Sequence, residues 1–76
     1  DARIPISEAA EVLGVHLSDR DAHTVGGLVT ARLRRIPSIG DSIEEAGFLF
    51  IVEEASDRAP IALKVRPLGS GPGLSN

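Results

Sequence analysis

The amino-acid sequence predicts an α+β fold in which two helices pack on one face of a small, mainly antiparallel sheet. In the first half of the chain apolar residues recur at helical spacing, and in the second half they alternate at strand spacing. Neither layer can bury its apolar side alone, so the helices must cover the sheet. With 76 residues, the chain forms one domain with a thin core.

Composition excludes several classes of protein. The chain is 42% hydrophobic and 25% charged, which is typical of a globular domain. It contains no Cys, so disulfides and thiolate chemistry are excluded. A net charge of −3 argues against nucleic-acid binding. Because no apolar run is long enough to span a bilayer, we expect no direct membrane insertion by this chain.

Two helices are predicted from apolar spacing and capping residues. Ser7 is a typical N-cap for a first helix over residues 7–13, and Gly14 is a typical C-terminal stop. Thr24 is a typical N-cap for a second helix over residues 25–34. Pro37 prevents this second helix from continuing.

Three strands follow, separated by turn residues. They are predicted over residues 42–44, 48–54 and 61–66, with turns at 46–47 and 56–59. The domain is predicted to cover residues 1–67, and the Gly-, Ser- and Pro-rich residues 68–76 are predicted to form a flexible tail. The helical and strand patterns converge on a predicted core of eight residues: Ile6, Leu13, Leu28, Phe50, Val52, Ile61, Leu63 and Val65.

Several blocks of sequence carry a resemblance to a known family. Residues 24–29 (Thr-Val-Gly-Gly-Leu-Val) stand at the start of the second helix, and residues 35–41 (Arg-Ile-Pro-Ser-Ile-Gly-Asp) stand between that helix and the first strand. In their order and spacing, together with residues 11–14 and the last two strands, these blocks resemble the CorC/HlyC-type transporter-associated domain. The resemblance extends over residues 1–66.

The resemblance implies a fold similar to the small α/β unit of some flavin-binding domains. It implies a place at the end of bacterial membrane proteins that carry a membrane-spanning region and a pair of cystathionine-β-synthase (CBS) domains. Such parent proteins are magnesium and cobalt efflux or hemolysin-like proteins. We therefore expect a regulatory domain, not an enzyme, with no cofactor, on the cytoplasmic face of the inner membrane. Its expected partners are the rest of the parent protein and a second copy in a homo-oligomer.

Three departures from the family pattern have structural consequences. Ala2 stands where the family prefers Gly, so we expect the turn there to differ. Arg34 stands where Gly usually ends the second helix, so we expect Arg34 to adopt a left-handed conformation. The family's first strand lies upstream of Asp1, so we expect an exposed sheet edge. Because the chain begins without Met, we also expect it to be part of a longer protein.

The start of the second helix is a candidate ligand site. Thr24, Gly26 and Gly27 could present helix N–H groups to the phosphate of a nucleotide or a flavin-like molecule. The alternative function is therefore a small-ligand sensor. The Gly-x-Gly-x-x-Gly fingerprint is absent, and close helix packing explains the two glycines more simply.

The polar connection between the two helices is a candidate metal site. Its possible ligands are His16, Asp19, Asp21 and His23, because imidazole and carboxylate groups bind divalent cations. Their spacing matches no known metal motif, and the segment is predicted to be a loop. A solvated polar loop is the preferred interpretation.

The strand over residues 48–54 has two apolar faces. The family pattern places Phe50 and Val52 toward the helices, so Leu49 and Ile51 point to the outer face of the sheet. Corresponding outer positions are commonly polar in the family. We therefore predict a protein contact at Leu49 and Ile51, either in a homodimer or with the parent protein.

Four carboxylates lie in or next to the first two predicted strands: Glu44, Glu45, Glu53 and Glu54. No nucleophile accompanies them, so a general acid–base role is not expected. Instead, we expect them to be solvated cross-strand partners of Lys64 and Arg66.

Overall fold

The computed structural model describes residues 1–18 and 22–68. Within these ranges helices α1 (Ile6–Leu13) and α2 (Val25–Leu33) precede strands β1 (Ser42–Glu45), β2 (Phe48–Ala55) and β3 (Pro60–Pro67). The strands form an antiparallel sheet in the order β1-β2-β3. The predicted α+β fold is confirmed. The tail predicted over residues 68–76 lies outside the described residues from residue 69 onward.

Helix α1 begins one residue earlier than predicted, and Ser7 is not its N-cap. Pro5 occupies the cap position in an extended conformation, and its carbonyl accepts the first hydrogen bonds of the helix. The Ile6 N–H donates to the His23 carbonyl at 2.9 Å, which ties the start of α1 to the segment before α2. Gly14 ends the helix in the left-handed conformation, as predicted (φ 70°).

Helix α2 has the predicted cap at each end. Thr24 precedes it, and the Thr24 Oγ1 atom accepts a hydrogen bond from the Gly27 N–H at 3.1 Å. Arg34 ends it with φ 61°, so the expected left-handed conformation of a non-glycine residue is confirmed. Ala46 and Gly47, with φ of 54° and 85°, form the predicted turn between β1 and β2.

The core lies between the two helices and the inner face of the sheet. Four side chains are almost completely buried: Leu28, Val29, Phe50 and Val52. Further buried apolar residues are Ala2, Ile6, Leu17, Val25 and Ile43. The core prediction was therefore correct for Ile6, Leu28, Phe50 and Val52, whereas Leu13 and Leu63 are only half-buried. It missed buried residues in the N-terminal segment, in the connection between the helices, in α2 and in β1: Ala2, Leu17, Val25, Val29 and Ile43.

Ile61 and Val65 were wrongly predicted to be core residues, since their exposed fractions are 49% and 37%. The pairing of β2 with β3 is irregular after Val52, so the alternation that holds along the rest of β3 does not continue to Ile61. Pro60 is buried instead. Val65 lies opposite Phe50 on the inner face, but β3 is an edge strand that the helices cover incompletely.

Candidate functional site

The first turn of α2 has its backbone donors occupied by other parts of the chain. The pairs are the Val25 N–H with the Ile4 carbonyl (3.0 Å), the Gly26 N–H with the Ala2 carbonyl (2.8 Å) and the Gly27 N–H with Thr24 Oγ1 (3.1 Å). A phosphate would have to displace these protein oxygens before it could bind here. The geometry therefore does not favour a nucleotide or a flavin at Thr24, Gly26 and Gly27.

The two glycines of α2 allow close packing instead. A Cβ atom at Gly26 would lie 2.9 Å from the Ala2 carbonyl oxygen and 3.0 Å from the Ala2 Cβ. A Cβ atom at Gly27 would have more room, since its nearest neighbours would be Ala22 Cβ and Thr24 Oγ1 at 3.3 Å. Gly26 is therefore required because the N-terminal segment crosses directly over α2.

An apolar groove of about 180 Å³ lies between α1 and β3. Its apolar lining includes Ile4, Val12, Leu13, Phe50, Leu63 and Val65, and its charged lining residues are Asp1 and Glu8. Val12 is 78% exposed, although it is one of the apolar residues at helical spacing in α1. Sequence reasoning missed this groove because it placed Leu13, Leu63 and Val65 in a closed core. The signal available in the sequence was the i, i+3, i+4 spacing of Ala9, Val12 and Leu13, which places these apolar residues on one face of α1.

The edge of β3 is only partly covered in the described part of the chain. The Ala2 N–H donates to the Ile61 carbonyl at 3.0 Å, so the N-terminal segment covers one end of this edge. Beyond that point, β3 pairs only with β2 among the described strands. The groove and the edge are therefore adjacent features of one side of the molecule.

Arg32 connects three parts of the structure. Its guanidinium donates to both carboxylate oxygens of Glu45, at 3.0 and 3.3 Å, and to the Ser18 carbonyl at 3.3 Å. It thereby joins α2 to β1 and to the end of the segment that follows α1. Glu45 is thus half of an ion pair that links α2 to β1.

Arg35 and Asp41 close the connection between α2 and β1. The Arg35 guanidinium donates to both Asp41 oxygens at 2.9 and 3.0 Å, and the Ser38 N–H donates to the same carboxylate at 2.7 Å. The hydrogen bonds from Arg35, followed by the one from Ser38, hold the pKa of Asp41 below its usual range. The same pairing raises the pKa of Arg35.

The candidate metal ligands are not assembled in the described residues. His16 and His23 are both exposed, and Asp19 and Asp21 lie outside the described residues. Among residues 1–18 and 22–68, no three His, Cys, Asp or Glu side chains form a group that could hold a metal ion. Of the four candidate ligands, the described part of the chain therefore includes His16 and His23, each at the surface.

Leu49 and Ile51 lie on the outer face of the sheet and are half-buried. Their neighbours on β3 are Arg66 and Lys64, respectively. The expectation that carboxylates on β2 would be the cross-strand partners of these two cations was therefore wrong. The irregularity after Val52 places Glu54 opposite Ala62 instead. The predicted protein contact at Leu49 and Ile51 stays a prediction.

These features define a small two-layer α+β domain with an apolar groove between α1 and β3. Among its described residues, no helix is long and apolar enough to cross a membrane. The family described as the transporter associated domain, CorC_HlyC, matches residues 1–69. The chain belongs to this family, so the predicted resemblance is confirmed.

Relatives and solved structures agree with this assignment. The magnesium and cobalt efflux protein CorC of Escherichia coli (strain K12) is 34% identical over 61 residues, which cover 80% of this chain and 21% of that protein. The protein of the same name from Vibrio cholerae is 35% identical over 60 residues, which cover 79% of this chain and 21% of that protein. The chain therefore spans about one fifth of the length of these relatives.

Two solved structures share the fold. The transporter associated domain CorC_HlyC from Nitrosomonas europaea has a TM-score of 0.81 and 25% identity, covering 88% of this chain and 81% of that chain. The corresponding domain of a Xylella fastidiosa Temecula1 hemolysin, in complex with Mg²⁺ and Mn²⁺, has a TM-score of 0.75 and 28% identity. That match covers 91% of this chain and 84% of the Xylella chain.

Proposed function

We propose that the chain is a non-catalytic regulatory and interaction domain of a bacterial membrane protein that transports ions, of the magnesium and cobalt efflux or hemolysin-like class. The observation that carries the proposal is the match to magnesium and cobalt efflux proteins, of which the chain spans about one fifth. A unit of this size with its own core can change its contacts with neighbouring domains without transporting ions itself.

The proposed place of action is the cytoplasmic face of the inner membrane. The proposed partners are the CBS and membrane-spanning regions of the same protein and a second copy of the chain. Two surfaces support an interaction role: the apolar groove between α1 and β3, and the outer sheet face at Leu49 and Ile51. The groove is lined mainly by apolar side chains, which favours protein contact over catalysis.

A small-ligand sensor remains the alternative, but the occupied donors at the start of α2 do not support it. The complex of the Xylella domain with Mg²⁺ and Mn²⁺ concerns that protein. Because the described residues here bring no three metal-binding side chains together, the proposal assigns no metal site to this chain.

The test uses the full-length parent protein in its bacterium. Val12→Asp places a charge in the groove, and Ile39→Asp is the matched control because Ile39 is a similarly exposed apolar residue outside the groove lining. Deletion of the domain and Val12→Asp are expected to change how magnesium and cobalt efflux responds to ion concentration. Ile39→Asp is expected to leave the response unchanged.

Two outcomes would contradict the proposal. If deletion of the domain had no effect on magnesium and cobalt tolerance, the proposed regulatory role would be refuted. Complete loss of transport, with the truncated parent still in the membrane, would place the domain in the transport step itself.

A further inference from the structure

The outer face of the sheet carries a charge pattern that is complementary to itself. Two rows of cross-strand neighbours form this face: Glu44, Leu49 and Arg66 in one row, and Ser42, Ile51 and Lys64 in the other. Each row has an apolar residue on β2 at its centre and a basic residue on β3 at one end. Over these two rows the face is therefore acidic or neutral along β1, apolar along β2 and basic along β3.

The charged residues of this face have no partners within the described part of the chain. Glu44, Lys64 and Arg66 are exposed and form no ion pair there. The adjacent Glu45 differs, because it pairs with Arg32 at 3.0 Å. Opposite charges thus stand unpaired on either side of the half-buried Leu49.

We propose that this face binds a second copy of the chain about a two-fold axis parallel to the strands. Such a rotation places β1 of one copy over β3 of the other, and β2 over β2. Glu44 then faces Arg66 of the second copy, and symmetry repeats this contact in the same dimer. The apolar centres of the two faces pack against each other, and water is excluded from between them.

The same charges disfavour an axis perpendicular to the strands. That rotation places β3 of one copy over β3 of the other, so Arg66 faces Lys64 of the second copy. Like charges across an interface oppose binding and suppress the wrong arrangement. The charge pattern therefore selects one orientation for an apolar contact that would otherwise allow two.

The size of the face predicts a weak association. With strands about 4.8 Å apart, a three-stranded face is about 14 Å wide. It cannot supply the roughly 800 Å² that each partner contributes to a standard interface. Two copies held in one larger assembly would associate more completely because their effective concentration is higher. The inference rests on the proposed interaction role and names its partner, a second copy.

Sedimentation equilibrium of the whole chain up to millimolar concentration tests the proposal. At about 0.1 M salt, contacts shorter than about 10 Å remain largely unscreened. The wild type is expected to dimerise, and Glu44→Arg and Arg66→Glu are each expected to weaken the dimer about tenfold or more, because each creates two like-charged contacts. Glu11→Arg, on α1, is the matched control for the charge change and is expected to have little effect.

Two combinations test the orientation. The double variant Glu44→Arg/Arg66→Glu is expected to dimerise like the wild type. An equimolar mixture of the two single variants is expected to form a heterodimer, because each contact then joins opposite charges. Circular dichroism checks that every variant is folded, and Leu49→Lys/Ile51→Lys is expected to abolish the dimer.

A wild-type chain that remains monomeric at millimolar concentration overturns the proposal. A dimer that neither charge reversal weakens overturns it as well, because the contact then lies elsewhere. Arg66→Glu that strengthens the dimer overturns it by demonstrating the perpendicular axis. None of these outcomes bears on the metal-tolerance test of the parent protein. Failure of the proposed dimer can therefore be distinguished from failure of the proposed regulatory function.

Discussion

Single residues end both helices through their backbone conformation. Gly14 at the end of α1 and Arg34 at the end of α2 have left-handed φ angles of 70° and 61°. A Cβ atom at Gly14 would have no neighbour within 4 Å. Backbone preference alone therefore distinguishes residue types at this position, and it favours Gly over residues with a Cβ atom.

The two helix ends should respond to substitution in opposite directions. Arg34→Gly is expected to raise the free energy of unfolding by about 1 kcal/mol, and Gly14→Ala to lower it by about 1 kcal/mol. Urea unfolding measures both values. Arg34→Ala is the matched control, since it removes the same side chain but keeps the Cβ atom, and its effect should be within about 0.5 kcal/mol. An Arg34→Gly variant less stable than Arg34→Ala would refute the argument.

Asp41 should make the stability of the domain depend on pH. Because its pKa is lowered in the folded state, mainly by Arg35, the folded chain binds the proton less tightly than the unfolded chain. This contribution is complete above about pH 4, the unfolded pKa, and is lost as the pH falls through the folded pKa. Asp41→Asn should therefore be less stable than the wild type at pH 7. Urea midpoints of the two proteins should converge as the pH falls through the lowered folded pKa of Asp41, and a pH-independent difference would contradict the prediction.

At the scale of elements, β2 supplies the centre of the core. Phe50 is fully buried between its neighbours Ile43 on β1 and Val65 on β3. Phe50→Ala is expected to lower the free energy of unfolding by about 3–5 kcal/mol, enough to unfold much of so small a domain. Ile61→Ala should have a much smaller effect, because Ile61 is about half exposed.

Thermal and urea unfolding of the two variants provide the comparison. If Ile61→Ala lowered the free energy of unfolding as much as Phe50→Ala, Ile61 would be a core residue as predicted from the sequence. Its exposed position in the structure would then be wrong. If Phe50→Ala retained the wild-type midpoint, the central place of β2 in the core would be refuted.

The contact between α2 and the N-terminal segment gives a second prediction at this scale. Gly26→Ala would normally favour a helix, but its Cβ atom would lie 2.9 Å from a backbone oxygen. We expect a net loss of about 1–3 kcal/mol. Gly27→Ala is the matched control one residue along, where the nearest atoms would be at 3.3 Å, and should lose less. Equal unfolding midpoints for the two variants would show that the N-terminal segment does not pack as described.

At the scale of the whole molecule, backbone pairing of the N-terminal segment determines which sites are available. Its carbonyl groups occupy donors of α2, and the Ala2 N–H binds the edge of β3. We therefore expect ATP and flavin mononucleotide at millimolar concentration to leave the melting temperature unchanged. A ligand that binds the folded state raises this temperature by mass action. A saturable increase in a thermal-shift titration, removed by Thr24→Ala, would restore the sensor hypothesis.

Local pattern predicted much of this arrangement. The order of the five elements follows from apolar periods and turn residues, and the cap at Thr24 follows from its side chain and position. The left-handed Arg34 follows from the family comparison at a helix end. The inward position of Phe50 and Val52 follows from strand alternation. In each case the determining interactions lie within a few residues along the chain or depend on a regular period.

The tertiary structure decided what depends on segments far apart in sequence. Helix α1 begins at Ile6 because that residue's N–H bonds to His23, which lies in the connection before α2. Ile61 is exposed because the pairing of β3 with β2 is irregular, and a strand pattern read alone cannot reveal its partner's register. The donors of α2 are occupied because Ala2 and Ile4 pack against it. The sequence thus determined local conformation, and tertiary packing decided burial and the availability of sites.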